Sequence, residues 1–157
     1  MKTEIEAPNR LPTKYNSNSI FLAGSIEMGN AEEWQTKLIN AVSDVKDLDI
    51  VFYNPRRKDW DSSWEQKRDN AQFYEQVQWE LIAMERASLI VFCFDPNTKS
   101  PITLMELGIH HDDNIVVYCP EGFWRKGNVD IVCEHYNIDT VSSFEELVQY
   151  IEEYLSY

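Results

Sequence analysis

The stretch SLIVFCF, residues 88–94, limits what this chain can fold into more than any other part of it. It is apolar at every position after the first and shows no period-two alternation, so a strand made from it needs cover on both faces. Other short runs read as strands as well: SIFLAG (19–24) stopped by Gly24, LDIVFYN (48–54) stopped by Pro55, NIVVYC (114–119), and a brief one near Thr140. Helical patterns fall between them. Asn30 and Glu33 have capping-box spacing, with Trp34, Leu38, Val42 and Val45 recurring behind them, and residues 71–86 place Val77, Leu81 and Met84 on one stripe. Pro101 suits the first turn of a helix, a short helical piece covers 129–135, and SFEELVQYIEEYLSY is amphipathic. Strand and helix alternate without a composition break, internal repeat or low-complexity segment. This predicts an α/β fold, one domain over residues 19–157 with a five-stranded, doubly wound parallel sheet of flavodoxin-like order. The polar residues 1–18 read as a flexible leader or an edge segment and lack the apolar core of a signal peptide.

In such a sheet a ligand sits beyond the carboxyl ends of the strands, near the point where strand order reverses. The segments to inspect are therefore AGSIEMGN, NPRRKDWD and DPNTKSP. AGSIEMG has neither Gly-x-Gly-x-x-Gly spacing nor a Lys-Ser/Thr ending, which disfavours a dinucleotide or a nucleoside triphosphate. It is either a plain tight turn or a pocket wall offering the bare backbone of Gly24 and the hydroxyl of Ser25. The loop NPRRKDWDSSW is long, polar and aromatic, and brings Asn54, Arg56, Asp59, Trp60 and Trp64 forward as substrate contacts. Arg56 and Arg57 either grip a carboxylate or balance an acidic surface. Trp60 and Trp64 can stack on a flat ligand.

The carboxylate at Glu106 poses a sharper question. In KSPITLMELGIHH its neighbours Ile102, Leu104, Met105, Leu107 and Ile109 read as an interior segment, and interiors exclude an ionised Glu unless it is paired or used. A helix starting near Pro101 sets Glu106 within about two turns of a positive dipole end. A carboxylate kept ionised in a partly dry pocket can attack an electrophilic carbon. Glu80, three after Val77 and four before Met84, borders the buried stripe and is either a solvated face residue or part of the site. His110, His111 and His135 lack metal spacing and read as surface or capping groups.

Composition narrows the partners. A formal charge of −13 argues against a nucleic acid polymer or an anionic membrane surface. No apolar run approaches the ~20 residues of a membrane span. Cys93, Cys119 and Cys133 suggest neither a disulfide framework nor a zinc site, which fits the cytoplasm.

IFLAGSI, QWELIAMERASLIVFCF, SPITLMELG and GFWRKGNVDIVC together resemble the nucleoside 2-deoxyribosyltransferase family and its deoxynucleotide N-glycosidase relatives, over roughly Ile20 to Cys133. MELG at 105–108 is the most specific element. The resemblance implies that Glu106 is the nucleophile and that Glu80 hydrogen-bonds the base and helps protonate it. It places Ser100 in the sugar pocket and makes Asn128 a residue lent by a neighbouring subunit. Two positions depart from the pattern: Phe21 stands where many members carry a Tyr that restrains the nucleophile, and Glu27 where the nucleotide-hydrolysing relatives have Arg. The expected activity is transfer of 2-deoxyribose between nucleobases with retention, through a covalent deoxyribosyl-glutamate. It needs neither metal nor organic cofactor, acts on deoxynucleosides and free bases, and belongs to a homo-oligomer. The alternatives are an N-glycoside hydrolase of nucleosides or nucleotides, or a nucleotide-binding module without turnover.

Overall fold

A computed structural model describes residues 1–26, 33–45 and 47–157. Glu27 and Asn30 lie outside the described residues. The strands are β1 (Lys2–Glu6), β2 (Ser19–Gly24), β3 (Ile50–Asn54), β4 (Leu89–Cys93), β5 (Ile115–Tyr118) and β6 (Asp139–Val141). The helices are α1 (Trp34–Ala41), α2 (Ala71–Arg86), α3 (Pro101–Ile109), α4 (Lys126–His135) and α5 (Phe144–Leu155). All strand pairs are parallel, and the six-stranded sheet runs β1-β3-β2-β4-β5-β6. Leaving out β1, this is the flavodoxin-like order.

Alternation along each strand decides which helices it meets. Phe21, Ala23, Tyr53, Ile90, Phe92 and Val117 face the layer of α2, α3 and α4. Ile20, Leu22, Phe52, Leu89, Val91 and Val116 face α1 and α5. Every residue of β4 is buried, as a strand covered on both sides requires. Strand order reverses between β2 and β4, whose ends meet at the Gly24–Cys93 pair. A Cβ on Gly24 would lie 2.3 Å from the Cys93 carbonyl oxygen and 2.5 Å from the Trp34 ring, so this crossing admits only glycine.

Several sequence expectations are corrected. The sheet has six strands instead of five, because residues 2–6 form an edge strand in register with β3, Lys2 opposite Ile50. Lys2 Nζ donates to the carbonyls of Ile39 and Val42 at the end of α1, and Trp79 Nε1 donates to the Asn9 carbonyl at 2.7 Å. Charged residues on such an edge deter pairing with another chain. Helix α1 stops at Ala41, where Val42 turns extended at ψ 125° while staying fully buried. Glu33 takes its N-cap position without a side-chain hydrogen bond. On α2 the buried stripe is Gln76, Trp79, Ala83 and Met84, with Val77 and Leu81 only partly covered. Glu80 is partly covered as well, at the border of that stripe as its spacing predicts. Helix α3 is not an interior segment: Thr103, Glu106 and Leu107 are buried, but Ile102, Met105 and Ile109 are 55%, 56% and 56% exposed.

Candidate active site

α2 and α3 pack over the same face of the sheet, which sets Glu106 near enough to Glu80 to feel its charge. Glu106 is 7% exposed, held inward by the same turn that buries Thr103 and Leu107. Burial pushes its carboxyl up to about 8, with the charge of Glu80 adding to the rise. Burial also pushes Glu80 up to about 7, against a hydrogen bond from Gln76 that favours the ionised form. Two carboxyls coupled in this way titrate as a pair, and near neutral pH the pair holds a proton that one of them can donate while the other is ionised. Such an arrangement supplies an acid and a nucleophile from one residue type.

Three hydroxyls converge at the strand ends. Ser25, Thr98 and Ser100, each under 5% exposed, bring their hydroxyls together. Thr98 Oγ1 lies 2.7 Å from Ser25 Oγ and 2.8 Å from Ser100 Oγ, Ser25 Oγ contacts Ser100 Oγ, and the Asp95 N–H donates to Ser25 Oγ at 3.1 Å. This ring ties the end of β2 to the loop before α3. Ser100 is the N-cap of α3 at φ 47°, so the loop turns sharply into the helix that carries Glu106. Gly24 lets Trp34 close over this point, and Trp34 Nε1 donates to the Ser25 carbonyl at 3.3 Å. Phe21 is buried on the α2 side of the sheet, its ring centroid 6.5 Å from that of Trp79.

The turn after β3 is held from three sides. Asn54 Nδ2 donates to Glu4 of β1 at 2.7 Å and Asn54 Oδ1 accepts from the Arg56 N–H at 3.0 Å. Arg56 Nε donates to Gln35 of α1 at 3.3 Å, and Gln76 of α2 donates to the Pro55 carbonyl at 2.8 Å. Further along, Asp59, Trp60 and Trp64 form their own cluster around Arg57. Arg57 pairs with Asp59 at 2.8 Å and Glu75 at 2.9 Å and lies 4.9 Å over the Trp64 ring, and the two tryptophans pack edge to face at 5.1 Å. The Arg57 guanidinium holds the exposed Asp59 carboxyl below its usual range.

Asn128 is exposed on α4, next to the buried Val129. His110 is buried at the C-cap of α3, with Nδ1 2.6 Å from Asp113, so of the two readings capping applies and surface does not. Sequence reasoning missed Thr98, Gln35 and Gln76. Gln76 had a visible signal, since it lies one turn before Glu80. Thr98 had none beyond its place in a strand-end loop. Among the described residues, no group of three or more His, Cys, Asp or Glu side chains is placed to hold a metal ion. A cleft of about 310 Å³ lined by His111, Asp112, Tyr136, Asp139 and Tyr150 lies at the opposite, amino end of β5 and β6, and includes neither carboxyl of the pair.

A flavodoxin-like sheet with two coupled carboxyls on adjacent helices, beside its strand-order reversal, belongs to the α/β class that places ligands at strand ends. Residues 17–123 match the family model described as nucleoside 2-deoxyribosyltransferase like, and the chain belongs to that family. No curated protein matches the chain.

Proposed function

We propose that the protein transfers 2-deoxyribose between nucleobases by double displacement at Glu106. The observation that carries this reading is the pair of carboxyls on α2 and α3, Glu106 buried and Glu80 half-buried, both raised by desolvation, in a chain of this family. A Glu106 oxygen attacks C1′ of a deoxynucleoside. The N-glycosidic bond breaks, its electron pair goes to the base nitrogen, and Glu80 gives that base its proton. An incoming base then attacks C1′ from the vacated side, the ester bond breaks to restore the Glu106 carboxylate, and Glu80 takes back a proton. Two inversions give net retention.

Glu106 is pushed further up than Glu80. Attack needs the opposite distribution. Positive charge developing at C1′ favours an ionised Glu106, and a basic nitrogen of the departing base draws the shared proton to Glu80. The missing 2′-hydroxyl of the sugar makes that charge easier to develop. In this reading Gly24, Ser25, Phe21 and Ser100 stand on the sugar side, and Asn54 and Arg56 hold the turn whose Asp59, Trp60 and Trp64 serve the base side, the two rings favouring a second base over water. The reaction proposed uses no cofactor.

The enzyme works as a homo-oligomer whose neighbouring subunit lends Asn128. The outward apolar face of α3, formed by Ile102, Met105 and Ile109, supports an assembled state. Three buried cysteines outside any disulfide fit the reducing cytoplasm. Mixing deoxyinosine with adenine and following hypoxanthine and deoxyadenosine together tests the proposal. Transfer yields both products. Hypoxanthine and free deoxyribose in equal amounts, with no deoxyadenosine at any adenine concentration, would make the protein a hydrolase, and no base release from any donor would leave a binding module.

A further inference from the structure

We infer that Gln76 is the positioning residue of the acid: its side-chain amide, anchored on the Pro55 carbonyl, holds one oxygen of Glu80 and leaves the other to carry the proton to the departing base. The inference rests on the reading of Glu80 as that acid. Gln76 is 6% exposed and lies one turn before Glu80 on α2. Both donor positions of its Nε2 are committed, one to the Pro55 carbonyl at 2.8 Å and the other to Glu80 Oε1 at 3.0 Å. The Pro55 carbonyl has no proton to give. Turning the amide over would set two acceptors against each other, so its orientation is fixed.

That orientation has a cost. Among the described residues Gln76 Oε1 is buried without a hydrogen-bond partner, a condition that a side chain present only for packing avoids. The amide is thus arranged for what Nε2 holds. An N–H aimed at Glu80 Oε1 disfavours a proton on that oxygen, which assigns the proton to Oε2. The same bond steadies the ionised carboxyl and opposes the desolvation that keeps Glu80 protonated. The groups bearing on Glu80 are the Glu106 carboxyl from α3, the uncharged Gln76 on its own helix and, through Gln76, the Pro55 carbonyl from the turn after β3. Because the loop carrying Trp60 and Trp64 starts at Pro55, one amide sets both the acid and the root of the proposed base wall.

The test compares wild type with Gln76→Met, which keeps volume and removes the N–H groups. Carboxyl carbon NMR of the free protein, with the Glu80 signal assigned through Glu80→Gln, follows the titration, and the pH profile of base release and thermal melting are recorded beside it. The sign is set by the lost bond: without it desolvation acts alone and Glu80 keeps its proton to higher pH. The expected result is a rise of about one pH unit in the Glu80 midpoint, with the alkaline limb of base release moving the same way. Base release should also fall by about tenfold for donors whose base must be protonated to leave. Should the Met variant fail to fold, Gln76→Asn, whose shorter amide falls short of Glu80, is expected to give the same rise. An unchanged midpoint and pH profile with only a lower melting temperature would make Gln76 a packing residue and overturn the inference. The titration needs no turnover, so a shifted midpoint in a protein that releases no base supports the hold on Glu80 while sinking the transferase reading.

Discussion

At the scale of single residues the account turns on two carboxyls kept in a dry place. Glu106→Ala is expected to abolish base release while the protein stays folded, since no other group in the proposed scheme forms the sugar ester. Retention of more than about a tenth of the activity, under ~1.4 kcal/mol of transition-state stabilisation, would remove the nucleophile assignment. The same burial makes a prediction about stability. Both carboxyls are raised in the folded protein above the ordinary Glu value of 4.5, so between that value and about 8 the folded state holds protons that the unfolded chain has released. Their contribution to stability is therefore lost as pH rises through this window. Glu106→Gln removes one of the two, and should melt higher than wild type at pH ~8.5, by on the order of 2 kcal/mol, with the difference shrinking toward pH ~5. Equal melting of the two proteins across that range would mean that Glu106 is not held in a desolvated place.

At the scale of elements, β4 was legible because five consecutive buried positions leave no alternative to a central strand. The strand ends at Gly24 and Pro55 were legible because glycine and proline punctuate the chain for steric reasons. Helix α2 was read slightly out of rotation. Val77 and Leu81 are only partly covered, while the polar Gln76 takes a buried place on the inward face that a hydrophobic period does not show. Edge strand β1 was hard to see in KTEIE because an edge tolerates charge. In α3, apolarity was mistaken for interior when much of it faces outward. That face carries a prediction: the protein should sediment as an oligomer, and Met105→Glu should shift it toward monomer. A wild type that stays monomeric at every concentration would leave the face without the partner proposed for it. Gly24→Ala should lower stability by about 2 kcal/mol or more, because the added methyl meets a backbone oxygen and the Trp34 ring at 2.3 Å and 2.5 Å. Unchanged melting would show that β2 and β4 part easily where the proposed sugar wall depends on them.

For the whole molecule, the sheet brings the end of β2, the turn after β3 and the loop before α3 to one edge of the reversal point, which is why residues as distant in sequence as Ser25 and Ser100 touch. No helix among the described residues is long and apolar enough to cross a membrane. The net charge of −13 sets the long-range field against polyanions, and we expect unphosphorylated deoxynucleosides to be preferred over their 5′-monophosphates. A higher kcat/KM for deoxyadenosine monophosphate than for deoxyadenosine would show instead that the arginines after β3 face the 5′ position. A sugar held covalently by Glu106 can be trapped by rapid acid quench of the protein with a deoxynucleoside and no acceptor base, followed by mass analysis of its peptides. One added deoxyribosyl group is expected on the peptide containing Glu106, lost when adenine is supplied before the quench and not formed by Glu106→Ala. An adduct on a different residue, or single-turnover base release with no labelled peptide at any time, would contradict it.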